Sequence, residues 1–350
     1  MSKPSPFVIG PAVLMLAGLG CGFSRQRTPA IGEGFVAPMS LQVRSDLTPR
    51  APVTATVRHG ERVEVLSYRR RFAEVRTAEG IEGWTDGRQL LSAKAMTALR
   101  DAHEQGRILP SQGRLIAFDL LNVHIGPNRL SPSFSQLTED APAELIERKV
   151  TARTPYDPNR DTSRDPVPEG TLKDDWARVR LPDGRSGWVL ARMTMMDLPD
   201  EITQFANGHR ITAAFPMGTV FDDGQSHQSW LWMTIASPPE EFQFDSMRLF
   251  AWNPKRDRYE TKFVERGLRG YYPVLADTTE QGAPRIRVIT EKENTLIRRT
   301  FVLTNGRLRL VDTEPWTPPA PPRDRAISRV NPDEGSPWQR LRLWWRGQKN

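Results

Sequence analysis

The chain has 350 residues, with 49 basic against 42 acidic side chains and a mean hydropathy of −0.54. These values exclude a polytopic membrane protein and predict two or three domains. A single cysteine excludes a disulfide framework and any multi-thiolate metal site. Of the cations 41 are arginine and 8 lysine; with no long basic run, zinc spacing or RNA-binding signature, the net charge of +7 reads as a mixed, solvated surface and not as a nucleic-acid footprint.

At the start, Lys3 precedes an apolar stretch from Phe7 to Leu19. At about 13 residues it is too short to span a bilayer as a helix, which takes roughly 20, but it suits a signal-peptide core. Gly18-Leu19-Gly20 then leads to Cys21, the sole cysteine. Small residues before a lone cysteine resemble a bacterial lipoprotein processing site, here with Gly18 where such sites usually carry Leu. That resemblance implies a signal peptide over 1–20, acyl chains such as palmitate on Cys21, and a lipidated tether over 21–35. It places the protein in the cell envelope on the non-cytoplasmic side of a membrane. Gly22 after the cysteine favours the outer membrane facing the periplasm, where there is one.

Residues 36–92 predict a small all-β barrel. Short alternating runs (Leu41–Arg44, Val53–Val57, Val63–Val65, Ala73–Arg76) are separated by turn residues and end at Gly83-Trp84. The order "Leu-x-Val-Arg-Ser", "Gly-x-x-Val-x-Val-Leu" and "Val-Arg…Gly-x-x-Gly-Trp" resembles a bacterial SH3 (SH3b) domain. In the Gly-Trp pair the glycine lets the backbone bend at a corner and the indole covers the barrel end. A connecting helix and linker follow over 93–112: Ser92 can cap the helix, Met96, Leu99 and His103 share one face, and Gly106 and Pro110 stop it.

The SH3b pattern returns at 113–197, with Leu121–His124 as the opening and Gly187-Trp188 as the closing pair. An insertion at 154–175, dominated by Asp, Pro and Arg, reads as an exposed loop. Residues 204–313 predict a third, antiparallel β-rich domain. Trp230–Ile235 is a strand, Met247–Trp252 and Tyr259–Val264 form a hairpin, and Asn305-Gly306 supplies the two positive φ values of a type I′ turn. Residues 314–350 form a Pro-rich and basic Trp/Arg tail. The fold class expected is therefore mainly all-β: two small SH3-like barrels joined by one helix, plus the third domain.

The chemistry-bearing residues are sparse. With Cys21 committed to lipid, no thiol remains for a cysteine peptidase. His59, His103, His124, His209 and His227 form no close pair at metal-ligand spacing. The acidic pairs Asp174-Asp175, Asp222-Asp223 and Glu240-Glu241 read as solvated loop acids. No phosphate-binding glycine loop or nucleophile elbow is present. No catalytic residue, metal or cofactor is predicted, and the expectation is that the protein is not an enzyme. Aromatic residues are the candidate ligand contacts: Trp84 and Trp188 at matching barrel positions, Trp176, and Trp230 with Trp232 on one strand face.

Taken as a whole, residues 36–312 resemble a family of acidobacteria-like envelope lipoproteins with tandem SH3b domains, on the strength of Leu121–His124, Gly187–Met193, Phe250–Thr261 and Gly270–Val274. The resemblance implies a non-catalytic, membrane-anchored protein that binds or scaffolds at the cell wall, with peptidoglycan or an envelope protein as partner. The alternative is an adaptor in an envelope assembly that uses residues 204–313.

Overall fold

The computed structural model describes residues 27–48, 50–139, 141–153, 172–236 and 240–318. The leader, Cys21 and the tether up to residue 26, most of the 154–175 insertion and the tail beyond Pro318 lie outside the described residues.

Three seven-stranded antiparallel sheets make up the body. The first holds β1 (Gly32–Val36), β2 (Ser40–Arg44), β3 (Val53–Arg58), β4 (Arg62–Arg69), β5 (Phe72–Arg76), β6 (Glu82–Asp86) and β7 (Leu90–Leu91). Helix α1 (Ala93–Ile108) follows, and the Ser92 hydroxyl accepts the Ala95 N–H at 3.2 Å as its N-cap. The second sheet holds β8 (Arg114–Ala117), β9 (Leu121–His124), β10 (Ser133–Leu137), β11 (Ala143–Ala152), β12 (Lys173–Arg180), β13 (Ser186–Leu190) and β14 (Thr194–Met196).

Strand order is β3-β2-β6-β5-β4-β1-β7 in the first sheet and β10-β9-β13-β12-β11-β8-β14 in the second. Adding seven to each strand of one order gives the other, so the internal repeat is a repeat of topology. The pairing details recur too. Glu64 faces Arg76 as Glu144 faces Arg180, and a bulge follows Val65 as one follows Leu145. Trp84 stands opposite Arg44, as Trp188 stands opposite His124.

The glycine before each tryptophan has a steric reason. A Cβ at Gly83 would lie 2.5 Å from the Arg44 carbonyl oxygen, and one at Gly187 2.7 Å from the His124 carbonyl oxygen. Strands β2 and β9 therefore cross too close for any side chain on the neighbouring glycine.

After a short turn of helix, α2 (Asp200–Thr203), the third sheet is a meander. It comprises β15 (Arg210–Asp222), β16 (Gln225–Ile235), β17 (Phe244–Asn253), β18 (Arg258–Thr278), β19 (Pro284–Lys292), β20 (Thr295–Thr304) and β21 (Arg307–Pro315), paired in that order. It curls into a half-barrel. Its concave side holds a core of its own built on Phe215, Met233, Met247, Leu249, Val288 and Phe301. The Asn305-Gly306 turn has φ values of 51° and 68°, as the sequence predicts.

The first sheet encloses a small valine-rich core, with Val36, Val43, Val63, Val65 and Val75. The second does not close on itself. Its core runs on through α1 (Met96, Leu99) and onto Ala214, Trp232 and Phe250 of the third sheet. The mainly all-β architecture matches the expectation.

One reading of the sequence is corrected. Asp174 and Asp175 are not solvated loop acids: they lie on β12, 4% and 8% exposed. Guanidinium groups take the place of water. Asp174 pairs with Arg129 at 2.6 Å and Arg153 at 2.9 Å. Asp175 pairs with Arg148 at 2.7 Å and with Arg210, from the third sheet, at 2.8 Å.

Candidate functional site

The segment leaving α1 is forced off the helix by Pro110, and Gln112 then enters the interior with no exposure. Every polar group of Gln112 is used. Its N–H donates to Leu145 O at 2.6 Å, and its carbonyl accepts from Ala214 N–H at 3.0 Å. Its side chain accepts from Val274 N–H at 2.9 Å and donates to Val274 O at 3.3 Å and Pro110 O at 3.1 Å. Ala214 lies on β15 and Val274 on β18, strands that are not neighbours in the sheet. A single glutamine thus spans the open side of the half-barrel and ties it to β11. Gly113 beside it has φ +125°, and a Cβ there would meet Met196 Cε at 2.4 Å and Ala214 O at 2.8 Å, so only glycine fits.

What this plug leaves open is a cavity of about 900 Å³ at the junction of the second and third sheets, within the range of small-ligand sites. Leu198, Phe215, Val274 and Leu275 give it apolar wall. Two ion pairs stand in its lining. Arg114 meets Asp197 at 3.3 Å, and Arg287 donates to Asp277 at 2.6 Å. Asp277 also takes a two-pronged hydrogen bond from Arg285, at 2.7 and 2.9 Å. That guanidinium, seconded by Arg287, holds the Asp277 carboxyl below the usual carboxylate range. Trp230 Nε1 and Arg287 Nε, both on cavity residues, are buried with no hydrogen-bond partner among the described residues.

The five tryptophans singled out from the sequence do not converge. Trp230 lines the cavity. Trp232 and Trp176 are 1% and 0% exposed, packed in the shared core and against the His124 ring respectively, so neither offers an indole face to a ligand. Trp188 is 8% exposed, with the Arg178 guanidinium 6.0 Å over its ring. Trp84 is half-buried on the first sheet, far in sequence and in sheet from the cavity. Cys21 lies outside the described residues.

Arg114, Asp197, Asp277 and Arg287 escaped the sequence reading because nothing local marks them. They come from four strands or strand ends and meet only through the curl. Among the described residues no group of His, Cys, Asp and Glu is arranged to hold a metal ion, and no helix is long and apolar enough to cross a membrane.

No protein family matches the chain, and no curated protein does. Among solved structures, NlpC2 from Trichomonas vaginalis is 13% identical over 51% of this chain and 55% of that one, with a TM-score of 0.16; the chain thus spans about half of that protein's length. An NlpC/P60 family protein from Bacillus cereus ATCC 10987 is 11% identical over 83% and 96%, with a TM-score of 0.20. NlpC1 from T. vaginalis is 10% identical over 81% and 87%, with a TM-score of 0.16. At such scores these structures transfer no residue role and no reaction.

The expectation that the chain is not an enzyme is set aside. The cysteine argument removes only thiol chemistry elsewhere than Cys21, the one cysteine in the sequence. It does not place the protein outside catalysis.

Proposed function

We propose that this chain is an envelope lipoprotein, held to a membrane by acyl chains on Cys21, that binds or scaffolds at the cell wall and seats a peptide-like wall ligand in the junction cavity. In this reading residues 1–20 are the signal peptide, and the two sheets of matching strand order are tandem SH3b modules. The apolar run before a lone cysteine supports the anchor, and the two Gly-Trp crossings support the modules.

The observation that carries the ligand assignment is the make-up of the cavity. Apolar strand residues line it and charges of both signs stand in its lining. A short peptide bearing carboxylates and amines on small apolar residues complements both.

Two measurements test the proposal. The intact mass of the protein from its natural host is expected to show a chain that begins at an acylated Cys21; an unmodified mature chain that starts upstream overturns the anchor. Full-length protein is expected to sediment with purified, protein-free sacculi and to be displaced by soluble wall peptides. Protein that stays in the supernatant overturns wall binding.

A further inference from the structure

We propose that β21 is the surface through which this chain pairs with a second copy of itself, edge to edge and antiparallel, about a two-fold axis at Leu310. The inference goes beyond the wall-binding reading and does not rest on it.

The two edges of the third sheet are finished differently. On β15 the Ala214 N–H donates to the Gln112 carbonyl, so that edge is answered from within the chain. β21 ends the strand order and, among the described strands, pairs with β20 alone. An edge strand offers a row of backbone donors and acceptors to any strand that can lie beside it. Midway along this one, Leu310 and Val311 are 49% and 59% exposed.

The charges on β21 select the strand that fits. The run Arg307-Leu308-Arg309-Leu310-Val311-Asp312-Thr313-Glu314 is basic in its first half and acidic in its second. In a regular strand Arg309 and Asp312 would point to opposite faces. A bulge removes that mismatch: Phe301 faces Leu310 while Thr300 faces Asp312, so Val311 is the extra residue. Arg307, Arg309, Asp312 and Glu314 then stand opposite Thr304, Val302, Thr300 and Arg298. Those four partners alternate with Phe301, which is buried in the half-barrel core, so all four charges share the outer face. Arg307, Arg309 and Asp312 make no ion pair among the described residues, while Glu314 already holds Arg298 at 2.6 Å.

A two-fold axis at Leu310 lays Arg309 of each copy opposite Asp312 of the other, and Arg307 opposite Glu314. On the inner face the two Leu310 side chains meet at the axis and extend the apolar core. Opposite charges across a strand pair stabilise it and like charges weaken it. Cations alone along an edge repel its own copy and keep it solitary. This order of charges attracts the copy, and only antiparallel, because a parallel copy in register sets arginine against arginine. Such self-complementarity is what a two-fold interface requires. Arg309 and Asp312, both otherwise unpaired among the described residues, carry the selectivity.

The test is sedimentation equilibrium of the full-length protein in density-matched detergent. The unaltered chain is expected to form a dimer that loosens as salt is added. Asp312→Arg and Arg309→Asp are each expected to weaken self-association at least about tenfold, because each sets like charges face to face on both sides of the axis. An equimolar mixture of the two variants is expected to dimerise as the unaltered chain does, since in the mixed pair every cation again meets a carboxylate. That recovery also shows that both variants are folded. A dimer that neither variant weakens, or variants that fail to recombine on mixing, overturns the proposal. A monomer at every concentration also overturns it and assigns the edge to another occupant, such as the chain's own residues 319–350.

Discussion

The first and second sheets are two uses of one pattern, and the arginine that ends the matching strands β5 and β12 shows how they part. Arg76 and Arg180 occupy the same register, each paired across the strand with a glutamate, Glu64 or Glu144. Arg76 spends its remaining donors on Glu82 and on the Thr28 carbonyl, so it pins down the chain that enters the first sheet. Arg180 spends them on the carbonyls of Gly106, Arg107 and Leu109, where α1 ends. A cation at a helix C-terminus answers carbonyls that the helix leaves unpaired. The first sheet keeps a valine core of its own and lends Ala37 and Leu91 to the core that joins the second sheet, α1 and the third sheet, while the second is built into its neighbours. A repeat fixes the strand order, while the few side chains that leave the sheet decide whether the unit stands alone.

The sharpest way to break that contrast is at Asp175. Its carboxylate, 8% exposed, pairs with Arg148 of the second sheet and Arg210 of the third at once, and Arg148 reaches on to the Phe242 carbonyl at 3.0 Å. Asp175→Ala leaves two guanidinium groups facing each other with no counter-ion in a buried place. The expected loss is about 3–5 kcal/mol, the usual size for removing one partner of a buried pair. Denaturant titration read by segment-resolved hydrogen exchange is expected to show second and third sheets losing protection together while the first keeps its own. Uniform loss across all three sheets would show that the cores are not divided as described.

A smaller effect is expected from alanine at the two equivalent glycines. Gly187→Ala drives a methyl into the His124 carbonyl and the Phe134 ring, and Gly83→Ala drives one into the Arg44 carbonyl. Backbone cannot yield as a side chain can, so each is expected to cost about 2–3 kcal/mol. The difference lies in what melts. Gly83→Ala is expected to give a separate early transition confined to residues 32–91, and Gly187→Ala a lowered transition that includes α1 and the third sheet. Differential scanning calorimetry with limited proteolysis distinguishes them; a single shared transition in both variants would erase the comparison.

These contrasts also mark what the sequence could disclose. Alternation and turn residues placed β2 to β6 of the first repeat and β9 and β13 of the second, the Ser92 cap placed α1, and Asn305-Gly306 placed the last hairpin, because each depends on neighbours in the chain; β1 fell within the stretch read as a tether. The junction did not follow from those rules. Asp174-Asp175 sit at the end of an insertion rich in Asp and Pro, and only partners up to 45 residues away turn them into buried ions. Gln112 looks like linker, yet it closes a sheet through Val274, 162 residues on. Trp230 and Trp232 share a face, as alternation requires, but the turn of the half-barrel covers one and leaves the other beside a cavity. Long-range curvature made that division, and it leaves no periodic trace.

The mildest expected effect is the response to acid, because it acts on the joint between the two repeats. His103 of α1 takes the Ser186 N–H at its Nδ1, 3.1 Å away, and meets the Phe134 ring edge-on, with His59 of the first sheet tilted against the same ring. Burial pushes the His103 imidazole down to about 4 and also lowers His59 and His124, and the nearby Arg185 adds to the effect at His103 and His59. The unfolded chain, with histidines near 6.5, therefore binds protons that the folded chain refuses. Stability from this source is complete above pH 6.5 and declines as pH falls from 6.5 toward 4. In the upper part of that window, pH 6.5 to 5, carboxylates are still ionised, so the slope there belongs to histidine. His103→Gln, which keeps an acceptor for the Ser186 N–H, is expected to flatten it. The check is chemical denaturation of both proteins at pH 7, 6 and 5. Parallel slopes would mean that the joint does not sense protons, and that the two repeats are coupled only through packing.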